Sequence, residues 1–156
     1  MSKQSNTYKF VYFVISVFFL IGFNIYTSSY LSSISQEPIC FLPGIKLNYM
    51  ENTGAAFSIL QDYKIALIIF AIVAIIGVLW YLIKNIKELT MMNVFMISLL
   101  LSGIACNLYE RVSFGFVRDY FELSFINFPV FNISDVFINV SVIVIMFMLF
   151  RNYSKK

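Results

Sequence analysis

The chain has 156 residues, 60% of them hydrophobic and 12% charged, with no histidine. A soluble domain carries about 45–50% apolar residues, so this composition describes a membrane protein. A net charge of +3, from basic residues that are scattered and not clustered, excludes the basic face that nucleic acid binding requires, and the missing histidines exclude Ser–His, Cys–His and His-ligated zinc chemistry, leaving carboxylates, lysine or hydroxyls for any hydrolysis.

A bilayer core of about 30 Å is crossed by about 20 helical residues. The first such run is Phe10 to Leu31, between Lys9 and a Ser-rich stretch. It also has the basic-then-apolar form of a cleavable leader, with small residues at Thr27, Ser28 and Ser29, but it is long for one, and a retained helix is expected. A first outer segment, about residues 32–64, follows. Within it "LNYMENTGAAFSIL" mixes strand-type residues with Asn52 and Gly54. Glycine permits close backbone approach, so a substrate strand can lie there; an ordinary surface turn fits these residues better when they are taken alone.

Ile65 to Ile83 and Leu89 to Tyr109 are the second and third runs, joined by a short basic loop with Lys84 and Lys87. Gly103, Asn107 and Arg111 recur every four residues and share one stripe of the third helix. A close-packed helix whose polar end lines a cavity fits this stripe, as does a packing stripe ending in an interfacial ion pair, with Glu110 as the partner expected for Arg111. A second outer segment, about residues 110–131, leads to the last apolar run, Val136 to Phe150. That run is too short to span at about 1.5 Å per residue, so its helix is expected to begin near residue 132, with Asn132 or Ser134 as cap and Asp135 in the first turn.

Lys3, Lys9, Lys84, Lys87, Arg151, Lys155 and Lys156 all fall on one side, which is therefore cytoplasmic, as are both termini. The expected fold is an all-α integral membrane protein with four transmembrane helices, about 10–31, 65–83, 89–109 and 132–150, and a small extracytoplasmic β-rich segment. One membrane-embedded domain accounts for residues 1–156. Cys40 and Cys106 lack metal-site spacing and are expected to be structural and unpaired.

Asp119 and Asp135 both fall on the outer face. Two carboxylates in a partly dry site share a proton, which supplies an acid and a base for water attack on an amide. The residues alone equally allow each aspartate to pair separately with Arg118 or Arg111, or to cap a helix.

Taken together, "NTGAAFS" at Asn52 to Ser58, "GIACNLYER" at Gly103 to Arg111, "VRDYF" at Val117 to Phe121 and "FPVFNISD" at Phe128 to Asp135 resemble the bacterial lipoprotein signal peptidase family. The resemblance implies an aspartic endopeptidase of the cytoplasmic membrane that cuts diacylglyceryl-modified prolipoproteins just before the lipidated cysteine. It implies Asp119 and Asp135 as the catalytic pair, Asn52 and Gly54 as substrate-facing positions, Asn107 and Arg111 as polar support, and Asn132 as the residue orienting the second aspartate. It implies no metal or cofactor, and membrane lipid and prolipoprotein as partners of a monomer. Family members commonly carry an Asp and a Lys near the outer end of helix one, where this chain has Asn24 and Ser28, so that a charged pair is replaced together. The usual Asp before the arginine is Glu110, and a usual Gly before the asparagine is Cys106. Other readings of the residues are a weak relative that binds lipidated signal peptides, and a small transport bundle, the latter disfavoured by the outer position of both carboxylates.

Overall fold

In a computed structural model, residues 3–54 and 63–153 are described, and Ala55, Ala56 and Ser58 of the glycine-containing motif lie outside them. The order of elements is α1 (Lys3–Ile34), β1 (Ile39–Leu42), β2 (Ile45–Asn52), α2 (Lys64–Asn85), α3 (Met91–Ser113), β3 (Val117–Leu123) and α4 (Ile133–Tyr153). Each of the four helices is long and apolar enough to cross a membrane. The strands form an antiparallel sheet in the order β1-β2-β3, built from the two segments that connect α1 to α2 and α3 to α4.

Helix α3 is the centre of the bundle: α1, α2 and α4 all pack on it. Its serines make this possible. Ser98 and Ser102 are fully buried, and their hydroxyls donate back to the carbonyls of Val94 and Ser98, so small side chains admit close neighbours without leaving a polar atom unpaired. Gly103 is the tightest point. A Cβ there would stand 2.7 Å from the Ser134 carbonyl and 2.8 Å from Ile138 Cγ1, below any normal contact, so the α3–α4 crossing requires glycine. Helix α2 packs mainly on α3, fully burying only Leu82, with Ile75, Val78 and Leu79 partly buried against the core; much of its remaining apolar surface is exposed.

Helix α1 begins earlier and ends later than its apolar run suggests. The side chain of Lys9 is buried, and its ammonium donates to the carbonyls of Ile86 and Lys87 at 3.1 Å each, just beyond the C-terminus of α2, where a cation meets the negative helix end. The Ser-rich end is helical as far as Ile34, and there Thr27, Ser32 and Ser33 satisfy their hydroxyls on carbonyls of the preceding turn. The buried stripe of α1 runs through Phe13, Ser16, Leu20, Asn24, Ser28 and Ser32, so it is apolar near one end and polar near the other. Helix α3 starts at Met91 behind a Thr90–Asn93 capping box and ends beyond Arg111, at Ser113, with Phe114 as its C-cap and Gly115 just after it. Gly115 has φ 93°, and its N–H donates to the Arg111 carbonyl at 3.2 Å, a helix stop that a side chain would strain. The turn aims the chain into β3.

Candidate active site

The C-terminal end of α3, the N-terminal end of α4 and the strands β2 and β3 enclose a cleft of about 560 Å³, lined by Asn52, Asn107, Arg111, Asp119 and Asp135 among others. Asp119 lies in β3 opposite Met50 of β2 and is 2% exposed. Asp135 is the third residue of α4. The Asn132 side chain accepts from Asp135 N at 3.0 Å, while Asp135 Oδ2 accepts from Asn132 N at 3.1 Å. This reciprocal pair is a capping box with aspartate in the glutamate position; it fixes the start of α4 and the carboxylate together.

Two asparagine side chains join the two aspartates, and a third holds Asp119 from the other side. Asn132 Nδ2 donates to Asp119 Oδ1 at 2.7 Å and to Asn107 Oδ1 at 3.3 Å. Asn107 Nδ2 donates to Asp135 Oδ1 at 2.9 Å. Asn52 Nδ2 donates to Asp119 Oδ2 at 2.8 Å, and its own Oδ1 accepts from Gly54 N at 2.9 Å. Arg111 closes the chain of contacts: Nη2 donates to the Gly54 carbonyl at 2.8 Å and Nη1 to the Asn107 carbonyl at 3.4 Å. All seven residues singled out in the sequence thus meet in one network. Gly54 enters it through its backbone, as a buried turn held between Asn52 and Arg111.

Neither aspartate forms an ion pair among the described residues, so the reading in which each meets its own arginine is not the observed one. Arg118 instead reaches Glu110: Nε and Nη2 donate to Oε1 at 3.0 and 2.7 Å, and Arg118 N donates to Oε2 at 2.7 Å. Expected pairing of Glu110 with Arg111 is corrected accordingly. Adjacent residues on a helix point about 100° apart, so Arg111 turns into the cleft while Glu110 turns to the flank where β3 begins. Asn24 and Ser28 do not bond each other either. Asn24 Nδ2 donates to Ser134 Oγ at 3.0 Å, and Ser28 Oγ to Glu110 Oε1 at 2.9 Å. Each tethers α1 to a different wall of the site.

Burial and the neighbouring Asp135 charge push the Asp119 carboxyl from its ordinary 3.8 up to about 7, against the donors Asn52 and Asn132, which pull it down. Two amide donors take one lone pair on each Asp119 oxygen, which leaves room for a proton. Asp135 sits at the positive end of α4, with both oxygens taking N–H donors. The two carboxylates therefore occupy different surroundings.

Two residues that lie within the quoted motifs but were not singled out there complete the frame. Tyr120 is fully buried, its hydroxyl accepts from Ile133 N at 3.2 Å, and burial pushes its pKa up to about 12. Phe131 pairs with β3 through Phe121, with N–H to carbonyl distances of 2.8 and 3.0 Å in the two directions, which returns the chain to bring Asn132 beside Asp119. Cys40 is exposed and Cys106 buried, both as free thiols, and neither joins the network.

A four-helix membrane protein with a buried carboxylate pair in a cleft at one end of the bundle is the class that fold and site define. The model of the signal peptidase (SPase) II family matches residues 17–151, and the chain belongs to that family. The lipoprotein signal peptidase of Streptococcus pneumoniae is 38% identical over 135 residues, covering 83% of this chain and 86% of that protein. Its counterpart in Enterococcus faecalis is 37% identical over 139 residues, covering 86% and 84%. Two solved bacterial membrane enzyme structures, obtained by the in meso method at 2.3 and 1.9 Å, superpose with TM-scores of 0.82 and 0.75 at 26% and 25% identity. They cover 92% and 88% of this chain, and 90% and 91% of their own.

Proposed function

We propose that this protein is an aspartic endopeptidase that removes the signal peptide of diacylglyceryl-modified prolipoproteins before the lipidated cysteine. The relatives' names supply the substrate class. The observation that carries the chemistry is the asparagine-linked pair Asp119–Asp135, buried in one cleft with unlike surroundings. In this reading Asp119 holds the shared proton near neutral pH and Asp135 is ionised. Asp135 takes a proton from a water as its oxygen attacks the scissile carbonyl carbon, while Asp119 donates its proton to the carbonyl oxygen. Asp135 then passes the proton to the departing amine, the C–N bond breaks, and Asp119 regains its proton from the collapsing hydroxyl. Asn132, Asn107 and Asn52 hold both carboxylates still, so that the geometry is set before substrate arrives.

The distribution of basic residues supports a cytoplasmic membrane location with both termini inside and the cleft near the outer face. A site built wholly within one chain supports a monomer. Purified protein in lipid, given a diacylglyceryl prolipoprotein and its unmodified form, tests the substrate assignment. Cutting of the lipidated form, with the new N-terminus at cysteine, is expected; equal cutting of the unmodified form, or none of either, contradicts it.

A further inference from the structure

Helix α4 presents a second polar side chain to the cleft. Asn139 lies four residues after Asp135, one turn or about 6 Å further along the helix toward the bilayer centre. It lines the same cleft as both aspartates, its side chain is exposed, and its carboxamide has no hydrogen-bond partner among the described residues. The other amides around the dyad differ. Asn52, Asn107 and Asn132 each use both donor and acceptor on protein groups. They form the frame; Asn139 stands outside it, as does Asn127 of the exposed segment after β3, but only Asn139 lies within a membrane-spanning helix.

An unpaired carboxamide inside a membrane-spanning helix is unfavourable wherever water is scarce, so its place in the cleft calls for a partner. A peptide cut at the dyad provides one. Its signal segment comes up from the membrane as a helix, and the residues nearest the cut must be uncoiled to expose the scissile bond. Their main-chain N–H and C=O groups then lose their helical partners. Because the signal segment lies on the membrane side of the cut, these groups pass Asn139. Extended residues rise about 3.3 Å each, so about 6 Å corresponds to the second residue before the scissile bond.

Building on the peptidase reading above, we propose that Asn139 is a substrate-binding residue whose carboxamide pairs with the main chain of the uncoiled signal-peptide residues just before the cut. Its amide N–H donates to a substrate carbonyl and its oxygen accepts a substrate N–H. The site thereby reads an extended backbone and not a side chain.

The test uses the full-length protein and short diacylglyceryl lipopeptides in three forms: all-amide, with one backbone amide replaced by ester at each of the three linkages before the cut, and with the lipid esters replaced by ethers. Asn139→Leu keeps the branched shape of the side chain and removes both hydrogen bonds; Asn139→Ala, which adds no bulk, serves as a second variant. Both are expected to lower kcat/KM about 10-fold, mainly through KM, as the loss of one or two hydrogen bonds implies, with the thermal unfolding midpoint unchanged. One backbone ester is expected to slow the native protein by a similar factor and to leave Asn139→Leu unaffected, the signature of two groups acting as a pair. The ether lipid is expected to affect both proteins equally. Native rates for both variants overturn the proposal, and so does coupling of Asn139 to the ether lipid in place of the backbone ester. Failure of the peptidase reading is distinct: the native protein then cuts no lipopeptide at all, or cuts it undiminished in Asp119→Asn and Asp135→Asn.

Discussion

Asn132 and Asp135 hold each other by two reciprocal hydrogen bonds of 3.0 and 3.1 Å, while the same Asn132 side chain reaches Asp119 at 2.7 Å. One residue therefore starts helix α4 and couples the two carboxylates. The two duties separate by substitution. Asn132→Ala loses both the cap and the bridge, and is expected to cost about 1 kcal/mol of stability and at least about 100-fold in kcat, the scale of a lost preorganised donor. Asn132→Ser keeps a capping hydroxyl that is too short to bridge, so its thermal stability should recover while its kcat does not. Unfolding midpoints and lipopeptide kinetics on the two variants check this; equal recovery of both properties would show that the bridge to Asp119 is unimportant.

Protonation of Asp119 gives a pH dependence with a defined sign. Its folded pKa, about 7, stands above the ordinary 3.8, so the folded state binds the proton more tightly than the unfolded chain. Its contribution to stability is greatest at low pH and is lost as pH rises from about 4 through about 7. Asp119→Asn, which cannot ionise, should flatten that slope and unfold at a higher temperature than the native protein at pH 8. Catalysis should follow the same proton: kcat/KM falls on the alkaline side with an apparent pKa near 7, a value belonging to the carboxylate pair. Thermal melts and rate profiles between pH 4 and 9 read both.

Glu110 and Arg118 form a largely buried pair, with side-chain exposures of 8% and 16%, and Arg118 immediately precedes Asp119. Arg118→Met leaves the Glu110 carboxylate with only Ser28 and a backbone N–H, and is expected to destabilise by about 3 kcal/mol, as breaking one side of a buried pair does. The double change Glu110→Leu with Arg118→Met should cost less than Arg118→Met alone, because no charge is left uncompensated. A double change as damaging as the sum of the single ones would remove the pair from the account.

Gly103 sets the distance between α3 and α4. A methyl group there meets the Ser134 carbonyl at 2.7 Å, so Gly103→Ala must push α4 away and with it Asp135 from Asn107. An overpacked contact of this kind costs about 1–3 kcal/mol, and kcat should fall further than stability does, whereas Gly22→Ala and Gly77→Ala, with open space around both glycines, should change neither. Activity at the native level in Gly103→Ala would show that α4 tolerates displacement.

Much of this was legible in the residues. Four apolar runs counted against bilayer thickness give the four helices, and the length argument alone puts Asp135 in the first turn of α4. The four-residue spacing of Gly103, Asn107 and Arg111 gives a face that does pack on α4 and line the cleft. Pairings across the fold were less accessible. Spacing along a helix does not reveal which neighbour a long side chain meets, so Glu110 was assigned to Arg111 when a partner eight residues on, brought back by the Gly115 turn, holds it. The sequence shows the charge on Lys9 as a flank of the first span, but not that it reaches the carbonyls beyond α2. Asn24 and Ser28 look like a matched pair four residues apart, yet each serves a different helix. Tyr120 and Asn139 carry no pattern of their own; only the folded cleft gives them neighbours.

Cleavage of a diacylglyceryl prolipoprotein by the native protein, Asp119→Asn and Asp135→Asn tests the central claim most directly, since each change keeps side-chain shape while removing the ionisable group. The account predicts cutting before the lipidated cysteine by the native protein and a fall of at least about 1,000-fold in each variant, on the scale of losing an essential acid or base, with both variants still folded. Cutting at near-native rate by either folded variant would contradict it.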